Sequence, residues 1–555
     1  MIFFFSNKKE LSLDDAILID KIAPEAVHRY NLIMKDVALQ NSFTGLDLIL
    51  RVMSRNPFHS KVLDSITKLL LLELRLKNKE RITKIILDKK ELIGPVNSIL
   101  VDHKLEHKIE IEIESQDLSI FFSSLKNFLG AIYFLFSSFI WSFFLKKSNL
   151  KEKNDIVILD TFIQKSNFDN ECEFKDRYYP GFQLFLEDKN IDDIFIVPTI
   201  FDIFSIKELI RIAKCANKSK LNFLFQEQFF NLKDYISILV DSIKIPLKFK
   251  KINYSGSYNL EELLRKEVRR DYFSPSLCIA LSKYYFFKSL ERQSIIVKKV
   301  INWHENQDID KSMCYALNFF YPATKVIGYQ GSIPSLYEAH RIPEEYEYKL
   351  NVVPKEIFVV TEVQRDLMQK RCNQLYLKVG PSFRFSYLKN IIRKEAHIKK
   401  ILIALPMNVN ESINILKMVQ SMNKNSIKNI KLLYKIHPAL ATNFFYSSIE
   451  DDLLDDIEET KDDIESLLSE VSMVISSASS VCIEAASLNI PTAIYGNKYG
   501  VTLNPVSKKR NDISKIIYCS KQLEVFINAN ISRFSQKKQK IFVIPNKENT
   551  TKLFG

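Results

Sequence analysis

Residues 471–495, VSMVISSASSVCIEAASLNIPTAIY, decide the fold of this chain. The stretch begins with a short apolar run, passes through several serines, and then carries apolar residues at helical spacing as far as Leu488. Asn489 is a helix stop, and the PTAIY that follows has the composition of a buried strand. A strand, a helix and a second strand in this order predict a βαβ unit, and therefore a parallel sheet.

The serines of this unit lie where the first strand passes into the helix. Ser476, Ser477 and Ser479 place hydroxyls beside the unpaired N–H groups of the helix start, which is the positive end of its dipole. Phosphate groups bind readily at such a position. The alternative is that the serines only cap the helix, as in many βα turns. The stretch by itself leaves both interpretations open.

A second polar feature precedes this unit. Residues 431–436, KLLYKI, predict a strand that ends at His437 and Pro438, because proline cannot continue a ladder. Ligands of open α/β sheets bind at the carboxyl ends of the strands. We therefore expect His437 and the pair Ser476 and Ser477 to face one site from neighbouring strands. The competing interpretation is a structural histidine.

The order of these motifs resembles the nucleotide-sugar domain of GT-B glycosyltransferases. A strand ending in HP, a later strand leading into SS and a helix containing a glutamate are together similar to the bacterial sialyl-, polysialyl- and Kdo-type transferases. The resemblance covers residues 355–527 and implies a transferase that uses CMP-sugars. It implies that the donor nucleotide is bound by His437, Pro438, Ser476, Ser477, Ser479 and Glu484. His437, Ser476 and Ser477 would offset the charge of the leaving group without a metal, so a metal-independent transfer is expected.

A second candidate site is WHENQ at residues 303–307, which follows an apolar run that predicts a helix or a strand. ENQ followed by GYQ at residues 328–330 resembles surface-polysaccharide glycosyltransferases. A histidine is expected after that glutamine, but this chain has Gly331, so the role of this position stays open.

The chemistry of WHENQ predicts a catalytic carboxyl group. Burial against Trp303 is expected to raise the pKa of Glu305 towards neutrality, so that Glu305 acts as an acid, a base or a stabiliser of an oxocarbenium ion. Asp160, at the end of the strand predicted at residues 155–160, is a second catalytic candidate. The alternative for Glu305 is a capping residue at a helix start. The predicted substrate-binding residues are Trp303, Asn306, Gln307 and Gln330.

Composition narrows the function further. A net charge of +13 predicts anionic partners, but no nucleic-acid-binding pattern is present. With 11 glycines and neither GxGxxG nor a P-loop, a kinase, an ATPase or an NAD enzyme is disfavoured. The expected partners are a nucleotide-sugar, a glycan or lipid-linked acceptor and an anionic membrane surface, and no cofactor is expected.

The seven cysteines are scattered and form no CxxC pair. They therefore predict neither a zinc site nor a disulfide framework, and they favour a reducing, cytoplasmic location. The amino terminus lacks the pattern of a signal peptide and predicts a strand or a disordered start. The acidic run at residues 450–463 has no EF-hand spacing, so a solvated loop is expected instead of a metal site.

Residues 128–145, FLGAIYFLFSSFIWSFFL, carry no charge. Their length is at the lower limit of about 17–25 residues for a transmembrane helix. A helix that docks on the membrane surface is the main expectation, with a span and a buried domain helix as alternatives. A span would separate strands that are expected to share one sheet. The predicted location is therefore peripheral, on the inner face of the cytoplasmic membrane.

At 555 residues the chain exceeds one domain. Strands predicted at 82–87 and 107–114, with a helix between them, suggest the first βαβ unit of the first domain. The last helix is expected to cross back to this domain. The predicted divisions are a helical region (1–80), a first Rossmann-like acceptor domain (81–342), a linker (343–355), a nucleotide-sugar domain (356–527) and a tail (528–555).

The sequence as a whole predicts a GT-B-like α/β fold in which two Rossmann-like domains, with a helical region at the amino terminus, face a cleft. The predicted activity is transfer of Kdo or a related ulosonic acid from a CMP-sugar onto a capsular or lipopolysaccharide glycan or a lipid-linked acceptor. The alternatives are a sugar-nucleotide epimerase, a polyol-phosphate transferase and a non-catalytic, membrane-peripheral scaffold of a polysaccharide assembly complex.

Overall fold

The computed structural model describes residues 2–5, 9–105, 108–113, 119–146, 150, 156–185, 194–200, 205–250, 258–335, 337–395, 397–438, 440, 442–506 and 510–554. Within these residues three parallel sheets organise the chain, and helices connect and cover their strands. The α-helices, labelled α1 to α17 in chain order, are Leu13–Gln40, Val62–Lys77, Ile93–Asp102, Ser119–Ser142, Ile206–Lys218, Leu232–Leu247, Glu261–Arg269, Pro275–Arg292, Asp308–Phe320, Glu345–Lys349, Glu362–Arg371, Val409–Gln420, Thr442–Ser447, Ile464–Glu470, Ser480–Ser487, Ser520–Asn530 and Lys547–Phe554.

The first domain is built on a seven-stranded parallel sheet in the spatial order β6-β5-β4-β7-β8-β9-β10. The chain adds strands on one side of β4 and then returns to add β7 on the other side, which makes the sheet doubly wound. The strands β4 to β10 are Ile156–Ile163, Ile194–Ile200, Asn222–Phe223, Val297–Trp303, Lys325–Gln330, Glu356–Val359 and Tyr376–Val379.

The second domain repeats this topology in a six-stranded parallel sheet, with the spatial order β13-β12-β11-β14-β15-β16. Its strands β11 to β16 are Lys399–Ala404, Ile430–Lys435, Ile457–Glu459, Met473–Ser476, Thr492–Tyr495 and Ser514–Ile517. Residues 471–495 form the predicted βαβ unit, because β14 and β15 are parallel neighbours joined by α15. The predicted α/β fold with two Rossmann-like domains is therefore confirmed.

The predicted start of the first domain is wrong. The strands Lys84–Leu87 (β2) and Glu110–Ile113 (β3), joined by α3, pair with Ile2–Phe4 (β1) in a separate three-stranded sheet. The physical reason lies in their sequence pattern. The two-residue alternation of β3 suits a sheet with one face in solvent, whereas parallel strands covered on both faces are continuously apolar.

The segment predicted as a linker is part of the packed protein. Helix α10 buries Tyr346 and Glu347, and Val352 and Val353 are buried directly after it. Strands β9 and β10, which the sequence analysis places in the second domain, pair with the first sheet instead. The chain enters the second sheet only at β11.

The carboxyl-terminal helix returns to the first domain as expected. The ring of Phe554 in α17 stacks on Phe182, with 5.3 Å between ring centroids. The two residues share one apolar core with Trp303 of the first sheet and Val474 of the second. This shared core holds the two domains in one arrangement.

Two further predictions from the sequence concern the cysteines and the uncharged segment 128–145. Cys172 and Cys215 form a disulfide, a pair that the scattered cysteines do not predict. Their separation of 43 residues conceals the pairing, because the turn after β4 and helix α5 meet only in the folded chain. The uncharged segment 128–145 lies mostly in α4, and no helix among the described residues is long and apolar enough to cross a membrane.

Candidate active site

Both doubly wound sheets have a switch point, the gap between the two strands from which the chain winds in opposite directions. In the first sheet this gap lies between β4 and β7, and in the second between β11 and β14. Parallel strands leave a crevice at the carboxyl side of such a gap, where ligands of α/β proteins bind. WHENQ follows from the end of β7, and the serines follow β14, so both predicted motifs lie at a switch point.

The turn after β7 is fixed by the carboxylate of Asp310. This side chain accepts hydrogen bonds from the backbone N–H groups of Glu305 and Gln307, both at 3.0 Å. Gln307 is the cap of α9, so the cap is not Glu305 as the alternative interpretation held. Between them, Asn306 has a φ of 56°, in the left-handed region. The turn therefore holds Glu305 outside the helix, at the mouth of the crevice.

Four side chains contact the carboxyl group of Glu305, and one of them is Ser332, whose hydroxyl donates to Oε1 at 3.4 Å. Arg341 lies 3.1 Å from this oxygen, Trp303 Nε1 donates to the same oxygen at 3.2 Å, and Gln307 donates to Oε2 at 2.7 Å. Burial raises the pKa of Glu305, but the charge of Arg341 and the hydrogen bonds from the indole and Gln307 lower it by more. The net pKa lies below the ordinary value, so the expected shift towards neutrality is wrong. The reason is Arg341, which the sequence pattern does not reveal.

Trp303 is buried in a cluster of tyrosines. Its ring centroid lies 4.6 Å from that of Tyr178, and 5.6 Å from those of Tyr179 and Tyr329. A Cβ atom built on Gly331 would lie 2.4 Å from the indole ring. Trp303 therefore fills the space that a side chain at position 331 would need, and its indole N–H, not its face, reaches the site.

Three of the predicted residues are directed into the protein. Asn306 donates to the backbone oxygen of His340 and to Glu347, and Gln330 donates to the backbone oxygen of Arg341. Asp160 pairs with Lys283 at 2.6 Å. All three are buried. In this structure they stabilise the site and do not line the cleft, whereas Gln307 is partly exposed beside Glu305.

In the second domain, some of the predicted serines have structural roles, and one lies beside a side chain of the candidate site. Ser476 is buried and donates to the backbone oxygen of Ala404 at 2.6 Å, which joins β14 to β11 across the switch point. Ser479 caps α15 through the N–H of Val481, as the alternative interpretation held. The hydroxyl of Ser477 lies beside the carboxyl of Glu411, whose pKa is raised by burial and lowered in part by Ser477.

Glu484 of α15 is buried and accepts a hydrogen bond from Tyr387 at 2.7 Å. Burial raises the pKa of Glu484 above its ordinary value, and the hydrogen bond from Tyr387 opposes this shift. Tyr387 belongs to the segment that joins the two sheets. Glu484 thus ties the serine-capped helix to the first domain.

His437 lies half-buried after the end of β12, and Pro438 after it is exposed. Burial lowers the pKa of His437, and the positive charges of Arg177 and Arg384 lower it further. The predicted neighbour relation to the serines is wrong, since β11 lies between β12 and β14. His437 instead faces two arginines that come from outside the second sheet.

Arg384 is the functional candidate that sequence reasoning missed. Its charge acts on Glu305 of the first domain and on His437 and Glu484 of the second. It forms no ion pair with any residue that the structure describes. Arg384 occupies a short 3₁₀ segment, FRFSYLK, after β10, which matches no motif. The only sequence feature that could have indicated Arg384 is its position in the connection between the two Rossmann-like units.

An open cavity of about 800 Å³ adjoins the serine loop. The second domain lines it with polar residues at the ends of β11 and β15, and the amino-terminal region lines it with residues near the start of α2. Ala478, between Ser477 and Ser479, forms part of its wall. The polar side chains in its lining include Lys61, Asn408, Asn410, Glu411, Asn414 and Asn497. Amide and carboxyl groups of this kind suit hydroxyl-rich ligands.

In the part of the chain that the structure describes, no group of three His, Cys, Asp or Glu residues has an arrangement that could hold a metal ion. The positive charge near the cleft comes from arginine side chains.

The fold is that of an α/β protein with two Rossmann-like domains, each built on a doubly wound parallel sheet and joined by a shared apolar core. Neither a protein-family model nor a curated protein matches the sequence.

Several solved structures are similar to the chain. MnaA of S. aureus, in a co-structure with UDP, is 12% identical, with a TM-score of 0.38, covering 68% of this chain and 88% of MnaA. A structure of the wall teichoic acid polymerase TagF is 9% identical, with a TM-score of 0.36, covering 79% of this chain and 97% of TagF. The glycosyltransferase SnogD from Streptomyces nogalater is 8% identical, with a TM-score of 0.33, covering 72% and 99%. At these scores the similarity carries no argument about the activity of this chain.

Proposed function

We propose that this protein is a glycosyltransferase that binds a nucleotide-sugar in the cleft between its two Rossmann-like domains. The observation that carries the proposal is Arg384, a cation without an ion-pair partner among the described residues, whose charge acts on Glu305 of one domain and on His437 of the other. A guanidinium close to groups of both domains suits a phosphate-containing ligand.

The donor phosphate would lie against Arg384 and His437, with Arg177 at the exposed edge. Fixed positive charge at this position stabilises the negative charge that develops on the leaving nucleotide. The same function does not require a metal ion, and we propose a metal-independent transfer. The amino end of α15, with Ser477 and Ser479, adds backbone N–H groups to the same region.

Glu305 would act as a fixed anion opposite the phosphate. Its lowered pKa keeps it ionised at neutral pH, which suits the stabilisation of positive charge at the anomeric carbon and does not suit a general acid. The sugar would occupy the adjoining cavity, where Asn408, Asn414 and Glu411 offer groups for its hydroxyls.

The proposed donor is a CMP-linked ulosonic acid, such as CMP-Kdo. The resemblance of the HP and SS motifs to such transferases supports this choice. In addition, this donor brings two anionic groups, a phosphodiester and a carboxylate, and the cleft offers two guanidinium groups, Arg177 and Arg384. The proposed acceptor is a surface polysaccharide of the capsular or lipopolysaccharide type, or a lipid-linked glycan.

A thermal-shift titration against CMP, CDP, UDP and GDP tests this proposal, because a ligand that binds only the native state raises its stability. A shift with CMP that is lost in His437→Gln supports the CMP-sugar donor. A shift with UDP or GDP alone overturns CMP as the nucleotide. If no nucleotide raises the midpoint, the transferase proposal fails in favour of the scaffold. Turnover of the nucleotide-sugar without an acceptor would instead indicate an epimerase.

A further inference from the structure

Helix α4 is attached to the first domain by one face and exposes the other. The attached face buries Ala131, Leu135 and Trp141, and the indole of Trp141 packs on Phe225 with 4.9 Å between centroids. The opposite face carries aromatic and aliphatic side chains at helical spacing, continuing just past the helix end. Its exposed apolar residues are Leu125, Phe128, Leu129, Ile132, Tyr133, Phe136, Phe139, Phe143 and Phe144.

The degree of exposure is unusual for such large side chains. Leu129 is 59% exposed, Phe136 is 56% exposed and Phe143 is 73% exposed. Single exposed apolar residues need no explanation, but a continuous row indicates an interaction surface. The row runs along most of the 24-residue helix.

A second helix extends this surface. Helix α6 touches α4 where the rings of Tyr235 and Phe139 meet edge to face, 5.7 Å apart. Its own outer side exposes apolar residues at intervals of four, four and seven, which places them on one face. These residues are Leu232, Ile236, Val240 and Leu247.

An apolar pocket of about 370 Å³ opens at the beginning of the exposed row of α4. It lies between Phe128 and Phe273, whose ring centroids are 4.9 Å apart in an edge-to-face contact. Ser124, Leu125 and Tyr272 complete its lining. The pocket is large enough for several methylene groups and adds apolar area to the same surface.

The charges around this surface have one sign. Residues 124–146 of α4 and its extension contain no acidic side chain. On α6, Asp234 is buried against Arg292, and Asp241 accepts a hydrogen bond from Tyr285. The exposed charged residues of the two helices and the segments that follow them are Lys126, Lys146, Lys233, Lys244, Lys248 and Lys250.

We propose that α4 and α6 together form a membrane-binding surface that takes an anionic lipid bilayer. An apolar face bordered by lysines suits an anionic bilayer. The apolar side chains can enter the acyl-chain region while the lysines lie at the level of the anionic headgroups. Helix α4 lies in the plane of the membrane, because its other face stays packed on the domain and lipid cannot surround it. This surface would hold the cleft near a lipid-linked acceptor.

Vesicle flotation of the full-length protein tests the proposal with phosphatidylcholine vesicles and with vesicles that contain 30% phosphatidylglycerol. We expect binding to the anionic vesicles, and a loss of about tenfold in Phe136→Asp and Phe143→Asp, since each removes a large apolar group and adds a negative charge. Lys233→Ser combined with Lys244→Ser should weaken binding to anionic vesicles only.

The matched controls are Ile392→Asp and Val525→Asp, which change residues that are 74% and 65% exposed and lie outside both helices. They should bind like the unchanged protein. Equal binding of all variants would overturn the proposal. The proposal would also be overturned if the protein bound neither type of vesicle and formed a dimer that Phe136→Asp dissociates. A second copy of the chain would then cover the surface. Retained thermal midpoints exclude misfolding, and nucleotide binding is measured separately, so this proposal and the proposed activity can fail independently.

Discussion

The indole ring of Trp303 occupies the space beside Gly331, where an added Cβ would lie 2.4 Å from two of its carbons. The two positions are therefore coupled: a large ring on β7 requires a residue without a side chain after β8. This coupling explains why glycine follows GYQ in this chain. It also keeps the indole N–H on Glu305.

Gly331→Ala should lower the free energy of unfolding by about 1–3 kcal/mol, because overpacking forces the ring to move. Denaturant unfolding measures this change. In the double variant with Trp303→Phe the cost of alanine should be smaller than in the single variant, as expected for residues in contact. Gly94→Ala is the control, since a Cβ there meets no atom within 4 Å. Additive effects of the two substitutions would contradict the coupling.

The buried carboxylate of Glu347 is the centre of an ion-pair network that joins the amino-terminal region to the first domain. Arg55 lies 2.5 Å from it and Lys311 lies 2.8 Å from it, and none of the three side chains is exposed. The pKa of Glu347 is lowered to about 2, because these two charges outweigh the effect of burial. The network explains why residues 343–354 are not a linker.

Glu347→Ala should destabilise the protein by about 3–5 kcal/mol, since it leaves two buried cations without their shared counter-charge. Chemical denaturation gives this value. Glu548→Ala removes an exposed ion pair with Lys552 and should leave the midpoint unchanged. Similar midpoints for both variants would show that the network does not contribute to stability.

The buried carboxyl group of Asp310 makes the free energy of unfolding depend on pH. Burial raises its pKa to about 7, whereas an unfolded chain releases this proton near the ordinary value of 3.8. The folded state therefore holds more protons between these values, so stability falls as pH rises from about 4 to 7. Asp271 and Glu227, with pKa values raised to about 7 by burial, act in the same direction.

Asp310→Asn should make the decline of stability with pH less steep, because one of these three groups no longer titrates. Unfolding curves at half-unit intervals from pH 4 to pH 8 measure the slope. A difference of one pKa unit between the folded and unfolded states corresponds to about 1.4 kcal/mol of unfolding free energy, which unfolding curves can measure. An unchanged slope would show that Asp310 is ionised throughout the range.

His437 should couple donor binding to proton uptake. Burial and the charges of Arg177 and Arg384 lower its pKa, so it is neutral at pH 7. A bound phosphate adds negative charge and raises this pKa, so affinity should increase as pH falls from 8 to 6. A CMP-sugar is the suitable probe, because its phosphodiester does not titrate in this range. His437→Gln should bind with an affinity that does not vary with pH.

The sequence predicts those parts of the fold that depend on local pattern. The unit 471–495 was correct because apolar periodicity and the serine turn are properties of neighbouring residues. The order of the strands is not local, so the neighbour relation of His437 and Ser476 was wrong: β11, far earlier in the chain, lies between them.

The sequence predicts only those parts of the candidate site that belong to recognisable motifs. WHENQ and the serines each follow an apolar run that forms a buried strand, which the local pattern indicates, whereas the position of these strands beside the switch points is visible only in the sheet order. The directions of Asn306 and Gln330 were missed, since the left-handed backbone of Asn306 and the hydrogen bond from Gln330 to the backbone oxygen of Arg341 leave no trace in composition. Arg384 and Arg341 were missed because they enter the site from connections between strands.

The most direct test of the account is the binding of a nucleotide-sugar by Arg384→Gln, measured by isothermal titration calorimetry beside the unchanged protein. Arg365→Gln is the control, because Arg365 lies on α11 and pairs with Glu362 and Asp366 at the surface. We expect a loss of affinity of at least about tenfold for Arg384→Gln, the range of a charge-assisted hydrogen bond to phosphate, and no change for the control. Equal affinity of both variants would contradict the placement of the donor phosphate in this cleft.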